Sequence, residues 1–280
     1  MGDICGMNAV KTKMLSRRSF FKTAAGGAMA AGAATALGTG TARAASDNMM
    51  MMKPADLTHT YDETFPTYFG APGISMEQNF NFADNGFNLK TLTINEHTGT
   101  HIDAPLHFSA DGASVDEIAV ENLVAPLCVI DIKARAAENA DAQVTPDDIR
   151  AWISANGDIP KGACVAMNSG WDKHVTSDKF RGVDSEGKMH FPGFHIEATK
   201  MLMEETGAAS MAVDTLSLDY GISADFATHY AWLPSGRFGI ENIANLDMVP
   251  AAGATLVIGA PKHRGGTGGP ARLIALTTMM

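Results

Sequence analysis

Cysteine is scarce in this chain, with three residues among 280. Cys128 and Cys164 lie inside the apolar runs "APLCVIDI" and "GACVAMNSG", and Cys5 stands near the N-terminus. That is too few for a disulfide framework, so the fold must rest on a hydrophobic core. Buried thiols are expected at Cys128 and Cys164, with one bridge between neighbouring strands as the alternative; neither has a partner arrangement suited to a nucleophile. Long apolar runs are also missing. None reaches the roughly 18 residues of a spanning helix without dilution by glycine and alanine, which excludes a multi-pass membrane protein. Internal repeats and long linkers are absent too. No serine occupies a G-x-S-x-G elbow, since Ser169 lies in "NSGW". "GGTGGP" (265–270) lacks the Lys-Ser/Thr pair of a phosphate loop, so a turn is expected there, lining a pocket with backbone N–H groups.

The first 44 residues differ from the rest. "SRRSFFK" (16–22) runs into an alanine-rich, acid-free stretch that closes on "TARAA", and the whole resembles a bacterial twin-arginine export signal. Cleavage after Ala44, a mobile junction over 45–55 and a periplasmic domain over 56–280 are expected. Removal of 1–44 takes six of the 21 basic residues and one of the 31 acidic ones, leaving 15 against 30, a net charge of −15. Such a surface repels phosphate backbones and anionic lipid. Nucleic-acid and membrane partners are therefore excluded for the mature chain.

Beyond the junction, strand-like and helix-like segments alternate. Strands are expected at Leu89–Glu96, Ala125–Ile132, Ala163–Asn168, Ser210–Asp214 and Ala254–Ile258. Helices are expected at Thr145–Ala155, opened by "TPDD", at His195–Glu205, and at Asp225–Leu233 with Asp225 as cap. This alternation predicts one α/β domain.

"HTGTHIDAPLHF" (97–108) concentrates three histidines and an aspartate around a glycine and a proline. Donor atoms must come within about 2.0–2.2 Å of an ion, and a straight strand would hold His97 and His101 about 13 Å apart. Thr98, Thr100, Ile102 and Pro105 disfavour a helix. A strand end that folds back at Gly99, which alone there takes a positive φ freely, remains. Asp103 then shares a face with His101 at about 6–7 Å, and extended geometry before Pro105 carries the same parity to His107. Two imidazoles and a carboxylate leave coordination positions open, as a catalytic metal site requires. His59, His174, His190, His195 and His263 are isolated and read as surface or hydrogen-bonded residues.

The same stretch resembles the H-x-G-T-H-x-D-x-P-x-H pattern of the cyclase-like metal-dependent hydrolases, a family containing bacterial kynurenine formamidases (arylformamidases) and isatin hydrolase. The resemblance continues through "DLTHTYDETFPTYFG", "NSGWDK", "FPGFHIEATKMLMEETGAASMAVDTLSLDYG" and "HYAWLPSGRFGIENIANLDMVPAAGATLVIGAPKHRGGTGGPARLIAL". It implies a single α/β domain with a swivelling β/β/α core of layered sheets and helices. By position it implies that His97, His101 and Asp103 ligate a first divalent ion and that Asp103 reaches a second. His229 and Glu241 would complete the second site, with Glu241 bridging. His107 would be the general acid/base. One or two ions of Zn²⁺ or Mn²⁺ per subunit, and a homodimer or homotetramer, follow from the same resemblance. Tyr68 stands where formamidases carry a substrate-contacting tryptophan, "PTYFG" here against P-V-W-P-G.

The reading is a metal-dependent amidohydrolase that cleaves a small amide C–N bond with metal-activated water and His107. An aryl formamide such as N-formylkynurenine is the first substrate type, and a cyclic amide of isatin type is the alternative. An exported protein that binds a metal or small molecule without catalysis is the reading from another class; His107 argues against it, since a pure binder has no use for a proton carrier.

Overall fold

A computed structural model describes residues Met52–Thr278. The expected export signal, its cleavage site and residues 45–51 of the expected junction lie outside the described residues. The last junction residues, Met52–Ala55, are strand: β1 (Met52–Asp56) pairs antiparallel with the C-terminal strand, with Lys53 opposite Thr277. The backbone N–H and C=O groups that it turns toward that strand are thereby paired.

The remaining strands are β2 (Ile74–Phe80), β3 (Leu89–Ile94), β4 (His101–Asp103), β5 (Val124–Asp131), β6 (Gln143–Val144), β7 (Cys164–Asn168), β8 (Gly193–Phe194), β9 (Ser210–Val213), β10 (Phe238–Glu241), β11 (Ala254–Gly259), β12 (Gly268–Pro270) and β13 (Arg272–Thr278). Helices are α1 (Phe82–Asn85), α2 (Lys133–Glu138), α3 (Pro146–Asn156), α4 (Ile196–Glu205) and α5 (Ala227–Trp232). All five expected strands and all three expected helices are present, with no end moved by more than two residues. Local chemistry explains α3 and α4. Asp148 accepts from the Thr145 N–H at 2.7 Å and from its hydroxyl at 2.8 Å, with Pro146 at the first helical position. His195 caps α4 by accepting from the Glu197 N–H at 3.2 Å.

Nine strands form one sheet in the order β1-β13-β11-β5-β7-β9-β10-β4-β12, parallel from β5 to β10 and antiparallel on both flanks. Only Ala271 separates β12 from β13, yet β12 pairs with β4 at one end of that order and β13 with β1 and β11 at the other. One short stretch ties both ends, so the sheet curls on itself. Helices pack on its outer face, where Val165, Met167 and Met211 meet Ile149, Trp152 and Leu202. The inner face is filled by Ile102, Leu127, Ala166, Ala212, Ile240 and Leu256. An α/β single domain is thus observed, with alternate residues of each strand feeding two cores.

The same alternation decides the cysteines. Leu127 lies opposite Cys164 and Cys128 opposite Val165, so Cys128 faces the helices and Cys164 the interior. Both thiols are free, and burial pushes each up to about 12. No helix among the described residues is long and apolar enough to cross a membrane.

Candidate active site

Gly99 folds the chain back as its sequence position predicts. Its φ is +67°, and a Cβ there would lie 2.8 Å from the Tyr61 ring. Its carbonyl accepts from His101 Nδ1 at 2.9 Å and from Asn242 Nδ2 at 3.0 Å. β4 then places His101 and Asp103 on one face of the sheet. Asp103 sits between Gly239 of β10 and Gly268 of β12, and these absent side chains leave room for its carboxylate. His101 sits opposite Glu241, the last residue of β10.

His107 arrives differently from its expected course. Ala104 is extended (ψ 157°), as Pro105 requires, but Pro105 then opens a 3₁₀ turn over Pro105–Phe108, with the His107 N–H donating to Ala104 O at 2.9 Å. Proline's fixed φ suits a first helical position as well as a strand, so strand parity ends at Ala104. The turn stacks the His107 ring on His97, with centroids 3.8 Å apart and planes at 23°.

His229 reaches the site on α5, and the expected cap is corrected. Asp225 accepts from Ser223 Oγ instead, and the helix start is held by Asp219, which accepts from the N–H groups of Thr228 at 2.8 Å and His229 at 3.1 Å. The same carboxylate accepts from His229 Nδ1 at 2.6 Å. A negative group at a helix N-terminus is favourable, and here it also aims a ring. Nothing in the local spacing of Asp219 marks it for this role; only its tertiary position does.

The three rings share one plan. Each outer nitrogen has a protein acceptor: Thr267 Oγ1 for His97 Nε2 at 3.1 Å, Gly99 O for His101 Nδ1, and Asp219 for His229 Nδ1. Each inner nitrogen faces carboxylate. His97 Nδ1 lies 2.7 Å from Asp103 Oδ1, His101 Nε2 3.3 Å from Asp103 Oδ1 and 3.4 Å from Glu241 Oε2, and His229 Nε2 3.2 Å from Glu241 Oε1 and 3.7 Å from Asp103 Oδ2. A ring that donates outward presents a lone pair inward, and a lone pair against a carboxylate calls for a cation or a proton between them. His101 Nε2 and Asp103 Oδ2 are buried without a hydrogen-bond partner. Donor atoms of His101, Asp103 and Glu241 lie within 4.8 Å of one another, as do those of His97, Asp103 and His107. The residues therefore fit a divalent metal ion.

Without an ion the electrostatics express the same tension. Burial alone would lower His101, but the adjacent carboxylates of Asp103 and Glu241 outweigh it and push it up to about 10. Burial would raise Asp103, yet His101, His229 and His97 hold it well below the usual carboxylate range. Burial would likewise lower His229, and Asp103, Asp219 and Glu241 raise it well above the imidazole norm. His107 is the opposite case. Burial dominates and lowers it to about 4, so its ring is neutral at pH 7.

Beside this cluster lies a cavity of about 420 Å³, walled by Tyr68, Phe69, Phe108 and Phe226 and reaching His107 and Asn242. Tyr68 is part of this wall, its ring 5.9 Å from Phe226. Burial first, and the Glu241 and Asp219 charges next, raise its phenol. Phe108 and Phe226 carried no expectation from sequence. Phe226 holds a left-handed backbone (φ 49°) at the start of α5, a costly conformation for an aromatic residue. Of the isolated histidines, His190 pairs with Asp141 and Asp184, while His59 packs between Phe65 and Phe180 with its Nε2 unpaired.

Known proteins share this sequence pattern and fold. The family described as "Putative cyclase" matches residues 55–220. An isatin hydrolase from Roseibium aggregatum is 34% identical over 199 residues, 68% of this chain and 75% of that one. A kynurenine formamidase from Salinibacter ruber is 26% identical over 194 residues, 68% of this chain and 81% of that one. The solved structure of isatin hydrolase A from Labrenzia aggregata, bound to benzyl benzoate, matches with a TM-score of 0.76 at 36% identity, covering 81% of this chain and 94% of that chain. The chain belongs to the cyclase family and is a hydrolase related to isatin hydrolase and kynurenine formamidase.

Proposed function

We propose that this protein hydrolyses the C–N bond of a small aromatic amide. The observation that carries the reading is the adjacency of the inward-facing His97, His101, Asp103, His229 and Glu241 to a cavity with aromatic walls and a neutral His107. Those five residues would hold one or two ions, Zn²⁺ or Mn²⁺. A divalent ion there supplies Lewis acidity toward a carbonyl oxygen and makes water more acidic.

The chain's own groups supply the rest. Tyr68, Phe108 and Phe226 exclude water around a flat ring and orient it toward the carboxylate cluster. No hydrogen bond among the described residues engages the His107 ring, so a ring nitrogen is free to accept a proton from the attacking water. The water oxygen bonds to the carbonyl carbon, the C–N bond breaks, and His107 returns the proton to the leaving nitrogen. Such transfer typically contributes about 10²–10⁴-fold.

An aryl formamide of N-formylkynurenine type suits this scheme, releasing an arylamine and formate. A cyclic amide of isatin type is the second reading, favoured by the identity of 34% with isatin hydrolase against 26% with the formamidase. "SRRSFFK" supports action in the periplasm, where tryptophan catabolism does not run, and this weighs toward the second substrate. Assay of the purified protein with each compound and added Zn²⁺ or Mn²⁺ tests the proposal. Turnover of either is expected; turnover of neither overturns the aromatic amide reading.

A further inference from the structure

Two features that the ligand set leaves unused meet at His97. One is the glycine-rich segment Gly265–Pro270. Only its start is the expected turn, with Gly265 at φ +72°; Gly268–Pro270 is strand β12, paired with β4. The other is Glu96, which precedes His97 and holds that segment against it.

The hydrogen bonds between them leave one arrangement. The Thr267 N–H donates to both Glu96 oxygens at 3.2 Å, and the Thr267 hydroxyl donates to Glu96 Oε2 at 2.5 Å. A carboxylate only accepts, so the hydroxyl proton is committed to Glu96. The lone pairs of Oγ1 therefore face His97 Nε2 at 3.1 Å, and Nε2 must carry a hydrogen. In the neutral ring the lone pair then falls on Nδ1, the atom beside Asp103. His263 Nε2 holds the other Glu96 oxygen at 2.5 Å, closing the chain at the surface.

The glycines make this close wrapping feasible. A Cβ on Gly266 would lie 2.2 Å from His263 Nε2 and 2.8 Å from Glu96 Oε1. One on Gly268 would lie 2.8 Å from His97 Cε1 and 2.4 Å from Ile102 O. Any side chain at either place would displace the groups that orient His97.

We propose that Thr267 and Glu96 are positioning residues of the metal centre, which lock His97 in the Nε2–H tautomer, and that the glycine-rich segment is the strap that holds them there. This rests on the reading of His97 as a metal ligand. Outer hydrogen-bond partners of ligating histidines typically set affinity by about 10–100-fold.

The test is calorimetric titration of the chelator-stripped full chain with Mn²⁺ alone and with Zn²⁺ alone, together with the melting temperature of each stripped variant. His97→Ala is expected to weaken binding. Thr267→Val is expected to weaken it about 10–100-fold with little change in the stripped melting temperature, and Thr267→Ser to restore most of it. Wild-type affinity in Thr267→Val beside a defective His97→Ala overturns the positioning role and leaves the ligand reading intact. Equal defects in Thr267→Val and Thr267→Ser also overturn it. No binding by wild type, or undiminished binding by His97→Ala, overturns the ligand reading and the proposal with it. Nitrogen-15 histidine spectra of the zinc-loaded wild type give an answer that needs no variant to fold: Nε2–H on His97 is expected, and Nδ1–H overturns the proposal.

Discussion

His97, His101, Asp103 and His107 come from eleven consecutive residues, whereas His229 and Glu241 come from a helix and a strand that only the folded chain brings beside them. In the first half the backbone does the aiming. A positive φ at Gly99 reverses the chain, strand β4 alternates its side chains, and a 3₁₀ turn lifts His107. In the second half side chains do it, since Asp219 caps α5 and fixes the His229 ring together. The local half is therefore sensitive to backbone strain, and the remote half to loss of a single carboxylate.

Asp103 belongs to both halves, so its replacement erases the comparison. Asp103→Ala is expected to abolish metal content, read by elemental analysis, and to reduce turnover to background. Retention of stoichiometric metal would contradict the shared role. His107→Asn affects only chemistry: turnover should drop about 10²–10⁴-fold with metal content unchanged. Because burial lowers His107 to about 4, the base is competent above that pH and lost below it. The acid limb of kcat/KM should thus lie near pH 4; a limb near 6.5, the usual imidazole value, would show that His107 is solvated in the working enzyme.

Asp219→Asn probes the remote half. It keeps the shape but removes the charge that orients His229, and metal affinity should fall about 10–100-fold by titration calorimetry. An unchanged affinity would mean that the packing of α5 and β10, and not the Asp219 charge, positions the second half. Gly99→Ala probes the local half with the smallest effect. Left-handed strain of about 1–2 kcal/mol, with the Tyr61 ring in the way, should lower Tm by about 2–8 °C for a domain of this size. If Gly99→Ala leaves Tm unchanged while Asp219→Asn lowers it, the roles of the two halves are reversed.

The same division governs what was legible in the residues. Helix α3 is readable because Thr145 and Pro146 open it locally, and α4 because Gly207 stops it. The turn at Gly99 was readable because a single glycine stood between two potential ligands. Strands β10 and β12 were not, because "FGIE" and "GGP" are short and glycine-bearing and become strands only through pairing with β4. Strand β2 was missed because its residues are largely exposed and polar, with no buried alternation to read. Asp219, Phe108 and Phe226 acquire their roles from tertiary neighbours. His229 and Glu241 were reached by resemblance alone, since a helix histidine and a strand-end acid have no distinctive spacing.

Anomalous diffraction from crystals of the wild-type protein soaked in Zn²⁺ or Mn²⁺ tests the central claim most directly. Density is expected between Asp103 and the inward nitrogens of His97 and His101, extending toward His229 and Glu241 if two ions bind. Density absent from that cluster, or present only elsewhere on the protein, would contradict it.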